Sequence, residues 1–144
     1  YLCEYSNWSP INDYNTYNKN FDHTFVADFA GFVAELHQHG IIHHDLNSTN
    51  VNYYKEGDHY IFSLIDINRM TFYPHEAPIK ESLKNLTLFS DISSLYLCFL
   101  KCYVEKRNNP KINFEKCLTI KKCHDRNRKM KKRFTNLFKK QKSA

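Results

Sequence analysis

The decisive stretch reads Leu36-His37-Gln38-His39-Gly40-Ile41-Ile42-His43-His44-Asp45-Leu46, runs on to Asn50, and is answered later by Leu64-Ile65-Asp66. Just upstream, Phe25, Phe29, Phe32, Val33 and Leu36 fall on one helical stripe, so the spacing predicts an amphipathic helix over 23–38. Asp22 suits its N-cap and Gly40 its C-terminal stop. Downstream, the β-prone runs 51–54 and 60–65 flank Lys55-Glu56-Gly57-Asp58-His59, which predicts a hairpin within 51–66. A helix therefore ends, a loop over 41–50 presents Asp45 and Asn50, and a hairpin delivers Asp66. Phosphoryl transfer asks for such a set. One carboxylate orients and deprotonates a hydroxyl, while an amide oxygen and a second carboxylate hold Mg²⁺ against nucleotide phosphates.

Further out, residues 1–6 read as a short strand before a loop, and 73–79 as an irregular Pro-bearing stretch. Leu83, Leu86, Phe89, Ile92, Leu95, Tyr96, Phe99 and Leu100 predict one long apolar helix over 83–101, ended by Asn108-Asn109-Pro110. A further helix is expected over 113–123, with a basic helix or tail over 124–144. The expected class is α+β, mainly α.

Charge sharpens this division. The 144 residues carry a formal net charge of +6, but residues 121–142 hold 11 Lys or Arg and one acid, Asp125, and so contribute +10. The remaining body is mildly acidic. Hydrophobic residues at 42% and aromatics at 15% exclude a disordered chain. The longest apolar run, residues 95–100, is far short of the ~20 residues that span a bilayer. Five cysteines without a CxxC pair suit reduced thiols in a cytoplasmic setting.

His43-His44-Asp45-Leu46-Asn47-Ser48-Thr49-Asn50 resembles the H-x-D-L-x-x-x-N catalytic loop of protein-kinase-like enzymes, and Ile65-Asp66-Ile67-Asn68 stands where they carry D-F-G. The preceding 36–43 is similar to the end of their catalytic helix, and Tyr1-Leu2-Cys3-Glu4-Tyr5 to the strand entering the hinge between lobes. The resemblance implies a kinase C-terminal lobe with its N-terminal lobe absent from these residues. It implies ATP and Mg²⁺ as cofactors, Asp45 as catalytic base, Asn50 and Asp66 as magnesium and nucleotide ligands, and His43 as a buried structural histidine. His44 stands where many regulated kinases carry Arg, and Asn68 replaces the glycine of D-F-G, a place that a residue tolerant of left-handed backbone can fill. No Gly-rich loop is present among only three glycines, so the 144 residues alone are expected to be inactive and to bind nucleotide poorly.

About 16 residues separate Asp66 from the long helix, with no A-P-E motif, so a small sugar-like acceptor suits the chain better than a protein. Residues 64–72 followed by 83–93 are similar to the lipopolysaccharide kinase family acting on Kdo or heptose, with Asn85-Leu86 opening the helix and Arg69 placed to hold the short segment or an acidic acceptor. That resemblance implies a sugar or glycolipid acceptor. An aminoglycoside- or choline-type kinase and a non-catalytic remnant of a kinase lobe are the competing readings.

Plainer roles compete for single residues too. Asp45 could be a loop-capping aspartate, and His37, His39, His75 and His124 carry no functional reading. Cys117, Cys123 and His124 lack a fourth ligand for zinc. The basic stretch 121–142 is a solvated helix or a contact with an anionic membrane surface, which would place the protein peripherally at an inner membrane. Aromatic residues hardly interleave with its charges, so no nucleic-acid partner is expected.

Overall fold

The computed structural model describes residues 8–11 and 21–142, with side chains to residue 136. Its elements are β1 (Ser9–Pro10), α1 (His23–Gln38), β2 (Ile41–His43), β3 (Val51–Glu56), β4 (His59–Leu64), β5 (Met70–Phe72), α2 (Ile79–Asn85), α3 (Ser94–Arg107) and α4 (Phe114–Lys142). The chain is α+β and mainly helical. The strand expected over 1–6 lies outside the described residues.

α1 begins where Asp22 caps it, accepting from the Thr24 N–H at 2.8 Å. Tyr60 donates to the other Asp22 oxygen at 2.8 Å and holds the carboxyl below its ordinary pKa. The apolar stripe of α1 buries Phe25, Val26, Phe29, Ala30 and Val33. Phe29 is the hub: its ring lies 4.6 Å from Phe89, 5.1 Å from Phe62 and 5.3 Å from Phe99, joining α1 to β4 and α3. Truncating such a ring to Ala typically costs about 3–5 kcal/mol.

Gly40 ends the helix for two reasons. Its φ of +77° is open to glycine at little steric cost, and a Cβ there would collide with the carbonyls of Tyr73 and His75. The chain therefore drops straight into β2, and β2 pairs antiparallel with β5, Ile42 opposite Thr71.

β3 and β4 form the hairpin, paired from Val51–Leu64 to Glu56–His59 around a two-residue turn. Gly57, at φ +60°, supplies the positive first position of a II′-type turn. β1 adds to the open edge of β3.

The single long helix expected over 83–101 is two helices. α2 starts earlier, at Ile79, tightens into a 3₁₀ turn at Leu86–Leu88, and stops. Ser93 then caps α3, accepting from the Tyr96 N–H at 3.2 Å. Ser and Asp at 90, 91 and 93 offer the backbone local hydrogen bonds that compete with a helical ladder, and this outweighs the apolar periodicity on either side. Asn85 accordingly closes α2 instead of opening a helix, and only the 12 residues 67–78 separate Asp66 from α2. α3 ends at Arg107 with Asn108 left-handed at φ 42°. The stretch 113–123 and the basic end are one helix, α4, whose start is held by the Asn113 side chain accepting from Lys116 N–H at 2.9 Å.

α4 is fastened by a buried lysine. Lys121 is 1% exposed, and its ammonium donates to the Thr87 carbonyl at 2.9 Å and to Asp125 at 3.0 Å, beneath the Tyr96 ring. No described helix is long and apolar enough to cross a membrane.

Candidate functional site

β2 ends at His43, and the loop that follows is fixed by the histidine ring. Nδ1 of His43 accepts the Asp45 N–H at 3.2 Å, so the neutral ring carries its proton on Nε2, which donates to the Ile65 carbonyl at 2.9 Å. One buried imidazole thus ties the Asp45 backbone to the end of β4. His43 is 1% exposed.

Asp45 itself is half-buried. Asn47 Nδ2 donates to its Oδ1 at 2.9 Å, and Arg69 Nη1 approaches its Oδ2 at 3.4 Å. Asn50 Nδ2 donates to the Asp45 carbonyl at 2.9 Å, and the Ile65 N–H donates to the Asn50 carbonyl at 3.0 Å. That last bond continues the β3–β4 ladder by one step and sets Asn50 beside the residue preceding Asp66. Arg69 closes the group, its Nε 3.6 Å from Asp66 Oδ2. Asp45, Asn50, Asp66, His43 and Arg69 are therefore brought together at one edge of the hairpin.

The left-handed residue of this segment is not the one expected. Asp66 has φ 57° and ψ 49°, whereas Asn68 sits in the 3₁₀ turn Ile67–Arg69. A non-glycine residue in that region costs about 1–3 kcal/mol and persists only where its surroundings impose it. Here the turn back into β5 does so, and it swings Arg69 toward both carboxylates.

The donor set suits a hard cation. With its amide nitrogen bound to Asp45, Asn50 keeps Oδ1 as the atom that can serve a metal, and the Asp66 carboxylate is 43% exposed with its ion-pair partner at 3.6 Å. Two oxygen donors plus water match Mg²⁺, which keeps several waters. Among the described residues no three His, Cys, Asp or Glu side chains gather as an ion site. Cys117 is buried in the core and Cys123 is exposed.

Sequence reasoning gave His37 no role, yet it anchors the site from beneath. Asn85 Nδ2 donates to the His43 carbonyl at 2.7 Å, which leaves Asn85 Oδ1 to accept from His37 Nε2 at 3.0 Å. His37 Nδ1 then accepts from the Tyr103 hydroxyl at 2.8 Å. Burial, aided by the nearby Arg107 charge, pushes the His37 pKa down to about 4, so the ring stays neutral. The available signal was periodicity: His37 continues the Phe29–Val33 stripe, which made a buried, bonded histidine the natural reading. Arg107, also buried, pairs with Glu76 and braces the segment over Gly40.

No protein-family model matches the chain. No curated protein matches it either. Among solved structures, WaaP in complex with acyl carrier protein is similar to it, with 18% identity and a TM-score of 0.50. That match covers 67% of this chain and 42% of the WaaP chain, so the likeness spans well under half of the WaaP chain. At this identity the likeness is one of fold alone.

Proposed function

We propose that this chain supplies the catalytic lobe of an ATP- and Mg²⁺-dependent phosphotransferase acting on a sugar hydroxyl, with a lipopolysaccharide inner-core sugar, Kdo or heptose, as acceptor. The observation that carries the reading is the fixed Asp45 backbone. His43 and Asn50 hold its N–H and carbonyl, and Asn47 and Arg69 meet its two carboxylate oxygens. A carboxylate set in this way accepts the proton of an attacking hydroxyl without first reorganising.

Asn50 Oδ1 and the Asp66 carboxylate would hold Mg²⁺. The bound metal nucleotide supplies the phosphoryl group and neutralises its charge. Arg69 fixes the turn that carries Asp66 and keeps a positive charge between the two carboxylates. The short 67–78 connection leaves little room for a peptide platform, which favours a small acceptor.

The test is phosphate transfer from ATP to Kdo-lipid A by the full-length protein. Asp45→Asn is expected to slow transfer by roughly 10²–10⁴-fold with the fold retained. Transfer at the wild-type rate would remove Asp45 from the base role.

A further inference from the structure

Two open clefts adjoin beside the catalytic loop. The smaller, about 240 Å³, is lined by Asn47 and Ser48 on one side and by Asp91 and Arg128 on the other. Asn47 is the residue bonded to the Asp45 carboxylate, so one wall of this cleft touches the candidate base. The larger, about 630 Å³, shares Asp91 and Arg128 and continues along α4 past Lys122, Arg126, Lys129 and Arg133.

Those four cations are spaced i, i+4, i+7 and i+11, which puts them on one face of α4. All four are exposed, and none forms an ion pair among the described residues. The acids in the same cleft are already neutralised: Asp91 pairs with Arg128 at 2.7 Å, and Asp125 with Lys121 at 3.0 Å and His124 at 3.3 Å. A concave wall with four uncompensated positive charges attracts and holds anions. Lys131 and Lys132, also charged and exposed, lie outside the cleft.

We infer that this cleft is an anion-binding subsite for the acceptor. It takes a compact, multiply charged group, phosphate or carboxylate on a sugar, and Arg126 and Lys129 are its central contacts. The inference rests on the proposed function for the acceptor hydroxyl reaching Asp45, and it assigns the cationic face of α4 to substrate rather than to a membrane surface. Arg128, locked to Asp91, forms the sill between the anion subsite and the loop.

Binding separates this subsite from the chemistry. The chain is titrated calorimetrically with inorganic tripolyphosphate at fixed ionic strength. Arg126→Ala with Lys129→Ala is expected to weaken binding by roughly tenfold. Lys131→Ala with Lys132→Ala, the same loss of charge, is expected to change it by less than about twofold, as distributed surface charge is screened. Equal losses in both pairs, or no loss in the cleft pair, would overturn the subsite. A second arm uses phosphatidylglycerol vesicles. Vesicle binding that the cleft pair abolishes, with no tripolyphosphate binding in the wild-type chain, would make the face a membrane contact and end the proposal. Asp45→Asn should bind tripolyphosphate as the wild type does. Tripolyphosphate binding by the wild-type chain, with no transfer by the wild-type full-length protein, counts against the phosphotransferase reading and leaves the subsite standing.

Discussion

His37 donates from Nε2 to the side-chain carbonyl of Asn85 at 3.0 Å, although the two residues stand 48 positions apart. The bond orients Asn85 so that its amide nitrogen meets the His43 carbonyl, and His43 in turn holds the Asp45 N–H. A continuous run of hydrogen bonds thus connects Tyr103 on α3, His37 on α1 and Asn85 on α2 to the backbone of Asp45, the proposed base. His37 and Asn85 each donate once and accept once, so the run has a single consistent protonation pattern.

Asn85→Leu removes the centre of that run at nearly constant volume. It strands the His37 Nε2–H and the His43 carbonyl in a buried setting, at about 1–3 kcal/mol for each group. We expect equilibrium urea unfolding to show a loss of about 2–4 kcal/mol. A loss under about 0.5 kcal/mol would mean that water replaces the amide and that the run does not brace the loop.

The neutral His37 gives acid sensitivity with a definite sign. Its folded-state pKa of about 4 lies below the ordinary 6.5, so the unfolded chain binds this proton more readily. Stability is unaffected by the group above pH 6.5 and falls as pH drops from 6.5 toward 4, by about 3 kcal/mol in total. Melting temperatures measured from pH 7.5 to 4.5 should decline across that window, and His37→Gln should flatten the decline. Asp22, held low by Tyr60, acts in a separate window: its stabilisation is lost only as pH falls below 3.8. An undiminished slope in His37→Gln would place the sensitivity in another histidine.

Local signals carried much of this in the sequence. The Asp22 cap, the α1 stripe, the Gly40 stop and the Gly57 turn each depend on neighbours within a few residues, and each is visible as spacing. The gathering of Asp45, Asn50 and Asp66 follows from one hairpin register, which the flanking β-prone runs announce. The buried run was not visible, because its bonds join residues 42, 48 and 66 positions apart and no local pattern encodes them. The break between α2 and α3 was hidden differently. Apolar periodicity persists through it, and a few short polar side chains decide the outcome. The left-handed Asp66 was masked by the expectation that Asn68 would take that conformation.

Lys121 carries a third prediction. Its ammonium joins α4 to the Thr87 carbonyl and to Asp125, which is only 15% exposed. Lys121→Ala leaves a carboxylate and a carbonyl without their cation in a poorly hydrated place, a change that typically costs about 3–5 kcal/mol. Urea unfolding should show a loss in that range, with the loss halved or better when Asp125→Asn is combined with it. Additive losses in the double variant would show that the pair does not interact.

Arg69 separates stability from activity. Its contacts with Asp45 at 3.4 Å and Asp66 at 3.6 Å are long, and its side chain is 62% exposed. Exposed ion pairs contribute about 0–1 kcal/mol, so Arg69→Ala should leave unfolding within about 1 kcal/mol of wild type. The site should feel the change much more. Asp45 loses the partner of Oδ2 while Asn47 still holds Oδ1, so the carboxylate can rotate away from the hydroxyl it must meet. In the full-length protein, kcat should fall by roughly 10–100-fold with the acceptor KM little changed, since the lost interaction acts on orientation rather than on binding. Arg69→Lys should recover only part of the rate, because an ammonium is a single point of charge and cannot fork between two carboxylates. Equal kcat in Arg69→Ala and wild type would show that Asn47 and the His43-anchored backbone orient Asp45 unaided. A rise in KM at constant kcat would instead move Arg69 to the acceptor, as a contact for its charge.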